Sequence, residues 1–246
     1  MKPKLIATFS YRLDGNVVYE KQRWEPGFDG RSKTFRFRRP LPDRLRADLG
    51  VPPGVAAWVM GITAGVYVRR GDDYVYYPQT GQDAKDGIAI DQENPILYRL
   101  PELRAASPLQ PVFVTEGEKD VEILRALRFT ATCGPYGSST WLHQWSSELA
   151  GRRVVVVPDN NPVGYDHADR VVGSLIRAGV ASVRVIHWGE GRYDPGPGGG
   201  AGNWLARIEA DREARTGRDA MIELALRAKE YCGVGTPRIS PGATAE

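Results

Sequence analysis

The chain has 246 residues, of which 41% are hydrophobic. This is enough apolar surface for a buried core in one large or two modest domains, and it excludes a wholly disordered chain. The formal net charge of +3 is unevenly spread: residues 1–46 hold 12 Lys and Arg against 5 Asp and Glu, so the remainder is net negative. A basic module joined to a more acidic one indicates either a polyanionic partner or a solvated basic face.

The first eighty residues predict antiparallel strands separated by turns. The predicted strands are residues 6–12, 17–24 and 33–38 and a hairpin through 65–77. Asp14 and Gly15 between the first two strands are a hairpin turn signal. In the third strand, Phe35 and Phe37 alternate with arginines, so we expect a small sheet with one basic face.

From residue 112 the sequence alternates between short apolar strands and helical periodicity. Strands are predicted at 112–115, 154–157 and 183–186, and helices at 120–127, 138–149 and 166–178. This order predicts a parallel sheet wrapped by helices. After a glycine-rich loop at 193–202, we predict helices at 203–213 and 220–231 and a disordered tail at 235–246.

Acidic and amide side chains directly follow two of these strands. Glu116 follows the first, and Asp159 and Asn161 follow the run 154–157. The carboxyl ends of parallel strands meet at one edge of a sheet, where carboxylates can bind a metal ion. Each motif also has a structural interpretation, because Glu116 suits the start of a helix and Asp-Asn-Asn-Pro at 159–162 suits a turn.

Only Cys133 and Cys232 are present, and they form no CxxC pair. The chain therefore encodes no zinc ribbon or zinc finger. No apolar run approaches the roughly 20 residues that span a bilayer. We expect a cytoplasmic protein with no membrane partner.

The order and spacing of these segments resemble the Toprim-domain primases of phages and mobile elements. Glu-Gly-Glu-Lys-Asp at 116–120 matches the first acidic motif of that family. Pro-Asp-Asn-Asn-Pro-Val-Gly at 158–164, followed by His167, is similar to the second. Residues 7–39 resemble the segment that precedes Toprim in those proteins, and the resemblance extends to about residue 205.

The resemblance implies an α/β Toprim fold, Rossmann-like with a mainly parallel sheet flanked by helices, preceded by a small antiparallel α+β domain. The implied divisions are a basic primase-like subdomain at 1–108, a Toprim domain at 109–206, carboxyl-terminal helices at 207–234 and the tail at 235–246. The implied function is metal-dependent nucleotidyl transfer, namely RNA primer synthesis on single-stranded DNA in the replication of a phage or mobile element.

The resemblance also implies site residues, cofactors and partners. Glu116 and Asp159 are the predicted catalytic residues, and with Asn161 and Asp120 they would hold Mg²⁺ or Mn²⁺. The implied partners are single-stranded DNA, nucleotides, and a helicase or a separate zinc-binding module. The predicted nucleic-acid-binding residues are Arg12, Lys21, Arg23, Lys33, Arg36, Arg38, Arg39 and Lys119.

Two departures from the family pattern favour other functions. Asn161 stands where an Asp is expected. The downstream motif D-x-x-D-W-L keeps its Trp-Leu pair at 204–205 but has Gly202 and Asn203 where acids are expected, with Asp194 as a candidate substitute. Lost carboxylates weaken metal binding. The alternatives are a degenerate Toprim protein that binds nucleic acid or a replication partner without catalysis, and a Toprim nuclease.

Overall fold

The computed structural model describes residues 2–60, 65–70, 73–78, 95–190, 193–210 and 216–231. The chain forms two compact units, residues 1–96 and 97–246. The sequence places this boundary later, at 108/109. Residues 97–105 belong to the second unit because the Tyr98 N–H donates to the Cys133 carbonyl at 2.9 Å, and the Thr132 hydroxyl donates to the Tyr98 carbonyl at 2.7 Å.

The first unit is built on a six-stranded antiparallel sheet whose spatial order follows the chain. The strands are β1 (Leu5–Leu13), β2 (Asn16–Trp24), β3 (Thr34–Pro40), β4 (Ala57–Met60), β5 (Gly65–Arg70) and β6 (Asp73–Pro78), with helix α1 (Asp43–Asp48) between β3 and β4. Tyr11 and Tyr19 pair across β1 and β2, fully buried, with ring centroids 4.4 Å apart. The predicted strands and second hairpin are confirmed.

The register of β2 and β3 sorts their side chains into two faces. Lys21 lies opposite Phe37, whereas Glu20 lies opposite Arg38. Because directly opposed residues point to the same side of a sheet, Lys21 shares the aromatic face and the β3 arginines Arg36 and Arg38 occupy the other.

The second unit is a five-stranded sheet in the order β11-β10-β9-β7-β8. Its strands are β7 (Val112–Thr115), β8 (Thr130–Thr132), β9 (Arg153–Val157), β10 (Ser182–Val185) and β11 (Lys229–Tyr231). Its helices are α2 (Leu100–Ala105), α3 (Glu118–Ala126), α4 (His143–Ser147), α5 (Pro162–Arg177), α6 (Ala201–Ala210) and α7 (Gly217–Arg227). All pairings are parallel except that of β10 with β11.

Buried valines explain why β9 lies in the interior of this sheet. Val154 to Val157 are all buried, and β9 is flanked by β7 on one side and β10 on the other. A strand covered on both faces has no side that favours polar residues, which accounts for the unbroken apolar run. The prediction of an α/β fold, with an antiparallel amino-terminal sheet followed by a mainly parallel sheet flanked by helices, is confirmed.

Two predicted helices are shorter than expected. The helix predicted at 138–149 is a 3₁₀ turn at Gly137–Ser139 followed by α4, separated by extended backbone at Thr140 and Leu142. The helix predicted at 220–231 ends at Arg227, and the chain then pairs with the edge of β10, Val183 opposite Tyr231. Pairing an exposed sheet edge outweighs helical periodicity there.

The predicted tail at 235–246 lies outside the described residues. Among the described helices, none has the length and apolar character needed to cross a membrane.

Candidate functional site

The central pair of parallel strands brings Glu116 and Asp159 together. Thr115 at the end of β7 is in register with Val157 at the end of β9, so the residues that follow both strands emerge side by side. The Glu116 Oε1 atom accepts a hydrogen bond from the Asp159 backbone N–H at 2.9 Å. The two motifs therefore form one site.

The first turn of α5 is packed tightly against this pair. A Cβ added at Gly164 would lie 2.3 Å from the Asp159 carbonyl oxygen and 2.6 Å from Glu116 Oε1. Asn161 caps the same turn, since its Oδ1 accepts the Gly164 N–H at 2.9 Å. The amide oxygen of Asn161 thus serves as a helix cap here. Its predicted role as a metal ligand stays a prediction.

Asp120, in the first turn of α3, faces the glycine-rich loop. Its Oδ1 accepts the Gly202 N–H at 2.9 Å. A Cβ at Gly200 would lie 2.7 Å from Asp159 Oδ1 and 3.0 Å from Asp120 Oδ2. The loop backbone therefore lies directly against both carboxylates, at a distance that only glycine permits.

Asn160 holds that loop in place. Its N–H donates to the Gly199 carbonyl at 2.9 Å, and its carbonyl accepts the Gly198 N–H at 2.8 Å. Its side-chain Nδ2 donates to Asp194 Oδ1 at 2.9 Å, and the same oxygen accepts the Gly196 N–H at 2.8 Å. Asp194, the candidate substitute acid, is thus engaged within the loop. Sequence reasoning did not single out Asn160, although three consecutive Asx residues were its signal.

Two buried tryptophans stabilise the chain at the end of β9. Trp188 is fully buried and donates its Nε1–H to the Pro158 carbonyl, one residue before Asp159, at 2.7 Å. Its ring packs against buried Trp204 of α6, with centroids 6.2 Å apart. The retained tryptophan of the downstream motif therefore contributes packing that fixes the start of the 159–161 turn.

The electrostatics of Glu116 reflect burial beside another acid. Burial raises the pKa of Glu116 above its usual range, and the negative charge of Asp120 raises it further. The Asp159 N–H, the Ser138 hydroxyl and the positive charge of Arg170 act in the opposite direction. Glu116 is consequently a stronger base than an exposed glutamate.

His167 lies behind the site on α5 and is held neutral. It is 3% exposed, and burial, assisted by nearby Arg170, lowers its pKa to about 4. A hydrogen bond to the Ser138 backbone opposes this shift. Its Nδ1 atom is buried with no hydrogen-bond partner among the residues described.

The donor set suits a hydrated divalent cation held by few protein ligands. Across the described ranges, no group of three or more His, Cys, Asp or Glu side chains is arranged to hold a metal ion. The Asp159 Oδ1 and Asp120 Oδ2 atoms nevertheless both lie against Gly200, 2.7 and 3.0 Å from the position that a Cβ on that residue would take. One or two carboxylates completed by waters is the usual protein donor set of Mg²⁺, and binding of Mg²⁺ or Mn²⁺ by these residues stays a prediction.

The predicted nucleic-acid residues of β1 to β3 occupy varied environments. Lys21 is 5% exposed, and its Nζ lies 4.7 Å from the centre of the Phe35 ring. Arg38 pairs with Glu20 at 2.7 Å. Arg23 pairs with Glu25.

The guanidinium of Arg36 lies 3.6 Å from the centre of the Phe28 ring. Arg12 and Lys33 are exposed, Arg39 is half-buried, and Lys119 is exposed on α3 of the second unit. A role of these eight residues in binding nucleic acid stays a prediction.

Comparison with known proteins gives a similarity at the level of solved structures. No protein-family model and no curated protein matches the chain. The chain is similar to the crystal structure of the Aquifex aeolicus primase (zinc-binding and RNA polymerase domains), at a TM-score of 0.42 and 15% identity, over 79% of this chain and 51% of that one. It thus spans about half the length of that chain.

The buried His167 predicts a pH dependence of stability. The unfolded state binds a proton near pH 6.5, whereas the folded state does so only near pH 4. The stabilisation that comes from burying neutral His167 should therefore be fully present above pH 6.5. The free energy of unfolding should fall as the pH drops toward 4. Between pH 7.5 and 4.5, urea unfolding of wild type should lose about 2–3 kcal/mol more than that of His167→Gln. His143→Gln, a substitution at an exposed histidine, is the control and should lose as much unfolding free energy as wild type. Equal losses in wild type and His167→Gln would show that His167 is not the source of the pH dependence.

The close approach at Gly200 predicts a local steric penalty. In Gly200→Ala the new methyl group meets Asp159 and Asp120 oxygens, so the loop or the carboxylates must move, at a cost of about 1–3 kcal/mol. Gly189→Ala is the matched control, because its Cβ meets nothing within 4 Å. Chemical denaturation measures both variants, and equal stabilities would show that the loop does not lie against the carboxylates.

Proposed function

We propose that this chain is a primase-like protein that catalyses metal-dependent nucleotidyl transfer, with synthesis of RNA primers on single-stranded DNA during replication of a phage or mobile element. One observation carries the proposal: Glu116 and Asp159, from the ends of adjacent parallel strands, are joined by a hydrogen bond of 2.9 Å. The family resemblance of both motifs supports it.

The proposed chemistry joins a primer 3′ hydroxyl to the α-phosphorus of a nucleotide and releases pyrophosphate. Glu116 accepts the proton of the hydroxyl, a role supported by the raised pKa of its buried carboxylate. Asp120 and Asp159 supply the oxygen ligands for Mg²⁺ or Mn²⁺, together with Glu116. When bound, the ion neutralises charge that develops on the phosphoryl oxygens.

The proposed partners are single-stranded DNA and nucleotides, with a helicase or a separate zinc-binding protein in the same replication system. The first unit would contribute the polyanion-binding surface, since residues 1–46 carry an excess of positive charge. Arg12, Lys33 and Arg36 are among its exposed cations.

A second candidate function is nucleic-acid or partner binding without catalysis. It is favoured by the way the acidic positions are used: Asn161 caps α5, and Gly200 and Gly202 lie against Asp159 and Asp120. A site with fewer carboxylates offsets less of the desolvation cost of the ion and therefore binds the ion more weakly. The two candidates separate in one assay.

The assay measures primer synthesis by the full chain on single-stranded DNA with ribonucleotides and Mg²⁺ or Mn²⁺. Glu116→Gln and Asp159→Asn should each lower the rate by about 100-fold or more, and chelation of the metal should abolish synthesis. Glu209→Gln, an exposed glutamate of α6, should leave the rate unchanged. Synthesis that persists in Glu116→Gln would contradict the catalytic assignment.

Asn161→Asp separates the two candidates further. Aspartate caps a helix as well as asparagine does, so this variant should fold normally while adding one carboxylate. On the primase proposal, wild type already synthesises primers and the variant synthesises them at least as fast. An inactive wild type that binds DNA and becomes active only as Asn161→Asp would favour the non-catalytic candidate.

A further inference from the structure

Lys119 differs in location from the other cations that are predicted to bind nucleic acid. The other seven lie within residues 1–96, the first unit, whereas Lys119 belongs to the second unit. It is part of α3 and directly precedes Asp120. The surroundings of this lysine are therefore those of the acidic site, not those of the basic sheet.

The side chain of Lys119 runs along the glycine-rich loop beside Asp120. A Cβ added at Gly202 would lie 3.8 Å from Lys119 Cε and 3.5 Å from Asp120 Oδ1. The Gly202 N–H donates to the same Asp120 oxygen at 2.9 Å. Because Asp159 Oδ1 and Asp120 Oδ2 both lie against Gly200 of this loop, the end of the lysine side chain and the two carboxylates border one short stretch of backbone.

The ammonium group of Lys119 is available to a ligand. The residue is exposed, and no ion pair or hydrogen bond joins its ammonium group to another residue in the part of the chain that the structure describes. An exposed ammonium group stays hydrated and carries three donors on a flexible stem. It can therefore bind an anion that enters the site without first breaking a contact within the protein.

Helix stability does not explain a lysine at this position. Lys119 is the second residue of α3, between the first-turn acids Glu118 and Asp120. The amino-terminal end of a helix carries a partial positive charge, which favours acids there and disfavours a cation. The lysine thus opposes the local preference of its helix, which is typical of residues that serve a site.

The polyphosphate of a nucleotide is the anion that fits these surroundings. In proteins Mg²⁺ is commonly held by one or two carboxylates together with the phosphates of the substrate. A triphosphate carries more negative charge than one divalent ion neutralises, so its remaining charge favours a nearby cation. Lysine binds phosphate as a compact point charge, and Lys119 lies beside the two carboxylates of this site.

We propose that Lys119 binds the polyphosphate of the incoming nucleotide, beside a divalent ion held by Asp120 and Asp159. The inference deepens the proposed nucleotidyl-transfer function and rests on it for the identity of the substrate. It assigns Lys119 to the nucleotide and leaves the DNA backbone to the cations of the first unit. Nucleotide binding can be measured without catalysis, so the inference is testable separately from the reaction.

The test measures equilibrium binding of ATP and of inorganic tripolyphosphate, each with Mg²⁺, to the full chain without DNA. Lys119→Gln removes the charge and keeps a side chain of similar length, so Kd for both probes should rise about tenfold. Lys119→Arg keeps the charge and should restore most of the affinity. Lys229→Gln, at an exposed lysine of the edge strand β11, is the matched control and should bind both probes like wild type.

Binding of single-stranded DNA separates the nucleotide from the DNA backbone as the ligand of Lys119. Kd for single-stranded DNA, and its dependence on salt, should be the same in Lys119→Gln as in wild type, because loss of a backbone contact would reduce the salt dependence. Weaker DNA binding with unchanged binding of ATP would overturn the inference. A loss of affinity for ATP but not for tripolyphosphate would overturn it too, since the contact would then not be to phosphate.

The outcomes distinguish this inference from the function on which it rests. If wild type makes no primers, the proposed function fails, and binding of ATP and tripolyphosphate alone decides the role of Lys119. If wild type makes primers, Lys119→Gln should raise KM for nucleotide about tenfold with little change in kcat. An active wild type whose affinity for both probes is unaffected by Lys119→Gln leaves the function standing and overturns the inference. Failure of wild type to bind either probe overturns it as well.

Discussion

The site depends on the parallel pairing of β7 with β9. That register places the residues after Thr115 and Val157 side by side, and the hydrogen bond from the Asp159 N–H to Glu116 Oε1 follows from it. Once a carboxylate occupies this junction, α5 can begin there only with a glycine at position 164, because any side chain would overlap the Asp159 carbonyl and Glu116. The Asp159–Glu116 hydrogen bond and the glycine in the first turn of α5 are thus both consequences of this strand pairing.

The glycine-rich loop changes how the negative charge of this site is balanced. Family resemblance leads one to expect acids near the Trp-Leu pair, yet the structure has backbone against the carboxylates. The Gly202 N–H donates to Asp120, and Gly200 leaves room for the Asp120 and Asp159 oxygens. Fewer acids reduce like-charge repulsion, and backbone dipoles stabilise those that remain. The site is therefore less acidic than the family pattern and more dependent on precise backbone placement.

The elements that the sequence predicts best are those whose pattern can be recognised from neighbouring residues alone. The unbroken valine run of β9 and the acids that follow β7 and β9 require only neighbouring residues to be recognised, and they locate the sheet edge and two of its carboxylates. The strict alternation of β3 likewise predicts its aromatic and basic faces, whereas the burial of Lys21 depends on its cross-strand neighbours Phe35 and Phe37. Asn160 and Trp188 were missed because each contacts residues distant in sequence, through loops without periodicity.

We propose that the ends of β7 and β9, with Asp120, form one site for a divalent cation. Titration of Mn²⁺ into the full chain, followed by electron paramagnetic resonance, tests it most directly. We expect wild type to bind one Mn²⁺ per chain and the double variant Asp120→Asn/Asp159→Asn, checked for retained fold by circular dichroism, to lose that binding. Absence of binding in wild type, or equal binding by the folded double variant, would contradict the account.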